Sequence, residues 1–76
     1  MEQVLVATVI AVEHNSNRVN FDFTDANGAR HWCVGSLKIT GARNPRPGER
    51  VELRGRWITD AAGIPVYFRA QRVRAL

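Results

Sequence analysis

The chain has 76 residues and a formal charge of +4 from 11 basic and 7 acidic side chains, a size that holds one domain, residues 1–76, and leaves no room for a second core. Its single cysteine excludes an internal disulfide, and Cys33 with His14 and His31 falls short of a four-ligand zinc set, so apolar packing alone must hold the fold. A hydrophobic content of 45% and a charged content of 24% exclude a disordered chain, and no apolar run approaches the ~20 residues of a membrane span.

In chain order, Val4–Val12 is apolar and β-branched at nearly every position, which predicts a strand either buried on both sides or bent across a barrel. The polar cluster His14-Asn15-Ser16-Asn17 ends it. Val19, Phe21 and Phe23 then alternate with Asn20, Asp22 and Thr24, predicting a second strand with one core face and one wet face. Asp25-Ala26-Asn27-Gly28 is a hairpin turn, and the return strand is Arg30–Val34, closed by Gly35. Parity there allows two arrangements. Arg30, Trp32 and Val34 share one face, and His31 and Cys33 share the other; burying Cys33 suits a small hydrophobe, whereas burying His31 does not.

From Leu37 to Gly48 two prolines and two glycines predict a loop with no regular helix. The fourth strand is Val51–Ile58, with Val51 and Leu53 inward and Glu52, Arg54 and Arg56 outward; Trp57 shares the inward parity, and Gly55 predicts a bulge or sharp bend. Thr59–Gly63 is a second hairpin loop and Ile64–Val73 the last strand, with Val66, Phe68 and Ala70 inward and Tyr67, Arg69 and Gln71 outward. Arg72 and Arg74 break that parity, so returning Val73 to the core requires a bulge near Ala70–Arg72.

Five strands in a chain this short, the first long and bent, predict an all-β closed or nearly closed barrel, since closure removes exposed edges. An SH3-like barrel is the competing arrangement, but its long loop comes earlier. The stretch Cys33-Val34-Gly35-Ser36-Leu37, the proline-rich link, "PGERVELRGRW" over 47–57 and Tyr67-Phe68-Arg69-Ala70 together resemble the short OB domains near the N-terminus of RecD-like helicases. They are also similar to small single-stranded DNA-binding OB modules. The resemblance implies a five-stranded OB-fold Greek-key barrel with little or no helix between strands three and four. It also implies ligand lying across strands two and three, flanked by His14–Asn17 and Thr59–Pro65.

Ten of the eleven basic residues are Arg, whose planar fork pairs with phosphate and stacks on flat rings, although codon bias in a GC-rich genome would produce the same excess. The candidate site residues are Trp32 as a stacking platform with Arg30 beside it, then Arg54, Arg56, Tyr67 and Arg69 as a basic stripe. Lys38 and Arg43 in the long loop complete the set. Against the stripe stands an ordinary solvated surface, its arginines paired with Glu49, Glu52 and Asp60. The expected activity is binding of single-stranded nucleic acid, DNA in the first instance, with low sequence specificity. The expected partners also include a homo-oligomer or a larger DNA-processing complex, and no membrane. The alternative is a protein-interaction or structural module, with the aromatics as a compact hot spot. Phosphate-loop, nucleophile-elbow and zincin motifs do not occur, so neither catalysis nor a cofactor is expected, and the lack of a basic n-region before Val4 makes the cytoplasm the expected compartment.

Overall fold

A computed structural model describes residues 2–15, 18–36 and 45–76. Its strands are β1 (Gln3–Asn15), β2 (Arg18–Thr24), β3 (Arg30–Ser36), β4 (Arg50–Thr59) and β5 (Pro65–Ala75). They close into a barrel in the order β1-β2-β3-β5-β4, with β4 returning to β1. Neighbours run antiparallel except β3 and β5, which meet in parallel at Cys33–Phe68, Val34–Arg69 and Gly35–Ala70. Among the described residues there is no helix. Of the helix-free link expected over Leu37–Gly48, residues 37–44 lie outside the described residues and 45–48 hold a turn and no helix.

The alternation of β2 becomes the core. Val19, Phe21 and Phe23 are buried against Ala7 and Val9 of β1, Cys33 of β3, Val51 and Leu53 of β4, and Phe68 and Ala70 of β5. Phe21, Phe23 and Phe68 are fully buried. Each such side chain contributes about 1.5–3 kcal/mol, and in a chain without a staple these rings are the main source of stability.

Both hairpins use the same turn chemistry. In the β2–β3 turn, Asp25 Oδ1 accepts the Asn27 and Ala29 amides at 2.9 and 3.0 Å, and Gly28 takes φ 81°. In the β4–β5 turn, Asp60 Oδ1 accepts the Ala62 and Ile64 amides at 2.9 and 3.0 Å, and Gly63 takes φ 81°. An Asp that bonds its own downstream backbone, followed by Gly in the left-handed region, is what sets each register.

β1 is bent across the barrel and is not buried on both sides. Its first half pairs with β4 and its second half with β2, and the register slips between Val9 and Ala11. At the slip, Val9 N donates to Glu49 O and Gly48 N donates to Val9 O, so backbone entering β4 fills the ladder positions that the bulge opens. Ile10, the extra residue, is left outside with Val4 and Val6, while Val12 is returned to the core face. The strand also runs on past Val12, because His14 and Asn15 keep pairing with Val19 and Arg18.

The predicted bulge in β5 is present. Arg54 pairs with Arg72 and Gly55 with Ala70, so Gln71 is the extra residue and Val73 faces Leu53. Val66 corrects the sequence reading. It was expected to point inward, but a second slip between Ile58 and Thr59 makes it the unopposed residue, and it is 58% exposed.

Candidate nucleic-acid interface

The parity of β3 is settled by its neighbours. Cys33 pairs with Phe21 on one side and Phe68 on the other and is fully buried, which puts Arg30, Trp32 and Val34 on the outer surface. Trp32 is half-buried there, directly opposite Asp22 on β2. Asn20 and Thr24 flank Asp22 on the same face, opposite Val34 and Arg30. Arg30 does not stand free beside Trp32 as a phosphate contact: its Nε donates to Asp22 Oδ2 at 3.2 Å, and its Nη2 reaches the same oxygen. The charge of Arg30 is therefore locally matched. Asn20 Oδ1 is shielded from solvent and accepts no hydrogen bond among the described residues. An acceptor in that state ordinarily costs about 1–3 kcal/mol.

Moving across the barrel from β3, Arg69 of β5 lies beside Val34, and Tyr67 is the next outward residue. On the far side of β5, Tyr67 faces Ile58, Arg69 faces Arg56, Arg72 faces Arg54 and Arg74 faces Glu52. Two rungs thus set Arg directly against Arg. Facing like charges destabilise a sheet unless an anion sits between them. Glu52 supplies one such anion, accepting Arg54 Nε at 3.2 Å and Arg74 Nη2 at 3.1 Å. The Arg54 hydrogen bond, aided by the charges of Arg74 and Arg54, holds the Glu52 carboxyl below its usual range. Among the described residues no carboxylate pairs with Arg56, Arg69 or Arg72. Asp60, a possible partner on sequence grounds, instead uses its carboxylate oxygen on backbone amides of its turn.

Four of the candidates, Arg54, Arg56, Tyr67 and Arg69, therefore share one continuous outer face, and Trp32 lies on the neighbouring strand. Lys38 and Arg43 lie outside the described residues. In the sequence Arg72 is only a break in the β5 parity, and Asp22 only a residue of the wet face of β2. The bulge that returns Val73 inward is the signal that also places Arg72 opposite Arg54.

The inner end of the barrel has a different character. Trp57 packs edge-on against Phe68, with ring centroids 5.1 Å apart, and against His31 at 4.8 Å, closing the barrel as its inward parity predicted. His31 Nε2 lies 2.8 Å from Asp25 Oδ2, which ties the first hairpin to that end. Burial pushes the Cys33 thiol up to about 12, so at neutral pH it is a protonated core group and no nucleophile. Among the described residues no three His, Cys, Asp or Glu side chains gather into a metal site.

Asp25 gives the domain an acid limit. The hydrogen bond from His31, followed by that of the Ala29 amide, holds its carboxyl below the ordinary 3.8. A carboxylate lowered by folding stabilises above its unfolded value, and that contribution is lost as pH falls through the lowered folded value. We expect the wild-type melting temperature to drop as pH is taken below about 4. Asp25→Asn should melt lower than wild type at neutral pH and lose less between neutral and acid conditions; equal acid sensitivity in the two would remove Asp25 as a source.

No family model matches this chain, and no curated protein matches it. Among solved structures, a chain from a Replication Protein A heterotrimer bound to ssDNA superposes with a TM-score of 0.76 at 15% identity. The match covers 99% of this chain and 57% of the other, so this chain spans a little over half of that neighbour's length. At this identity the likeness speaks for the fold, and with the strand order above it makes the chain a five-stranded OB-fold barrel.

Proposed function

We propose that the chain binds single-stranded nucleic acid, with DNA as the first ligand to test, across the outer face of β3, β5 and β4. The observation that carries this reading is the row running from Trp32 through Tyr67 and Arg69 to Arg56, in which aromatic surface on one side adjoins arginines that no carboxylate pairs among the described residues. Bases stack on Trp32 and Tyr67, and the phosphate backbone runs along the facing arginines. Because Arg30 is matched by Asp22, the cationic side of the track is the β4–β5 arginines and the base side is Trp32 with Tyr67. Stacking is tolerant of sequence, so most of the contact discriminates little. The solved neighbour's ssDNA and the resemblance to RecD-like OB domains point to the same ligand class. A chain this small gains length of track by working within an oligomer or a larger DNA-processing assembly.

Titration of an unstructured oligonucleotide against intrinsic Trp fluorescence tests the proposal. Quenching is expected, together with a salt slope near −2 in log K against log salt, the value for about three phosphates on a single strand. Absence of binding at about 100 μM protein in low salt would overturn it, since even non-specific binders reach roughly 10⁻⁴–10⁻⁶ M. The second reading, a protein-interaction module, has its own observation in Val4 and Val6, which are 52% and 43% exposed on β1. Binding to that surface would show little dependence on salt.

A further inference from the structure

The charge pattern around Trp32 is the reverse of what a sequence-blind phosphate binder needs. The residue directly across from the indole is a carboxylate, Asp22, with the side chain of Asn20 one step further along the same face. Arg30 directs both of its bonds at a single oxygen of Asp22, Oδ2, and among the described residues nothing donates to Oδ1. The Asp22 side chain keeps 20% of its surface open to a ligand. Asn20 Oδ1, shielded from solvent, adds the negative end of a carbonyl dipole to which nothing donates among the described residues. A base lying on Trp32 would thus turn its polar edge toward the unbonded Oδ1 of Asp22.

From this geometry we infer that Asp22 reads the base stacked on Trp32 and selects those that present an exocyclic amino group, cytosine over uracil or thymine. The inference rests on the nucleic-acid reading above and adds a preference at one base position. Cytosine offers its N4 amino group to a carboxylate acceptor, a pairing that already serves base recognition in other settings. Uracil carries a carbonyl oxygen at that position, which would face the Asp22 carboxylate. Acceptor against acceptor leaves both sides desolvated without a bond, and such unpaired groups are what discriminate between ligands of equal shape. Arg30 then acts as a positioning residue, fixing the carboxylate so that Oδ1 and not Oδ2 is presented.

The test compares oligodeoxycytidine with oligodeoxyuridine of about 15 nucleotides, within the span of one OB barrel, by fluorescence anisotropy at one salt concentration. Wild type should bind the cytidine strand about five- to tenfold more tightly, the scale of a single good base contact. In Asp22→Asn the ratio should fall toward one, mainly because binding to the uridine strand tightens once the negative charge is gone. Asp22→Ser should also abolish the preference, and because each ratio is taken within one variant, loss of folded protein does not alter it. Equal affinities in wild type, or a ratio that persists in both variants, would overturn the inference while leaving nucleic-acid binding intact. Failure of wild type to bind either strand would remove the nucleic-acid reading and the inference with it.

Discussion

Gly55→Ala is expected to destabilise the domain by at least about 3 kcal/mol, a loss comparable with the ~3–5 kcal/mol that a core of this size supplies. A Cβ at position 55 would stand 2.0 Å from Arg69 O and 2.9 Å from the Ala70 Cα. Both atoms are backbone of β5, so no side chain can move aside to make room. Relief requires β5 to lift from β4 at the Gly55–Ala70 and Arg56–Arg69 pairings, beside the Gln71 bulge. Overpacking that side chains can absorb costs about 1–3 kcal/mol, and a clash with a paired strand exceeds that range. At ~4–8 °C per kcal/mol for a domain of this length, thermal unfolding should move down by more than about 12 °C. Gly63→Ala is the control: nothing lies within 4 Å of its Cβ, and only its φ of +81° is strained. That strain costs about 1–2 kcal/mol. If Gly55→Ala melted above Gly63→Ala, close packing of β5 on Gly55 would not be what the fold depends on.

The same residues show how far the sequence reading reaches. Alternation at Val19, Phe21 and Phe23 is unambiguous because every second residue is polar, and the Asp-x-x-Gly turns at 25–28 and 60–63 place the hairpins by local chemistry alone. The β5 bulge is legible because arginines occupy positions where parity demanded core. The slip at Ile10 is not, since Val9-Ile10-Ala11-Val12 is apolar at every step and parity can shift there without leaving a polar residue inside. Trp32 is undecided in the sequence for a related reason: both faces of β3 carry core candidates, Trp32 and Val34 on one and Cys33 on the other. What decides it is tertiary, the pairing of Cys33 between Phe21 and Phe68. The Asp22–Arg30 pair also depends on register, and it changes the site most, by setting a carboxylate against the one cation expected beside the platform.

The two tryptophans provide the sharpest separation between site and scaffold. Trp32→Ala should weaken oligonucleotide binding by about 5- to 150-fold, corresponding to the ~1–3 kcal/mol of one stacked base, with little change in melting temperature. Trp57→Ala should do the opposite. It removes the ring that packs on Phe68 and His31 at the barrel end, and truncations of this kind cost about 3–5 kcal/mol. Trp32→Phe retains a flat ring and should recover much of the lost affinity, which a role in mere surface shape would not predict. With Trp57→Phe as background, the remaining fluorescence reports Trp32 alone, so quenching on titration can be assigned to the platform. Arg56→Gln and Arg69→Gln should each flatten the salt slope by about 0.7, the share of one phosphate on a single strand, while leaving Trp32 quenching in place. If Trp32→Ala unfolded the domain, or bound as tightly as wild type while the arginine variants lost binding, base stacking would have no part in the interaction. The β4–β5 arginines would then act as a charge patch alone, indifferent to whether the polyanion carries bases at all.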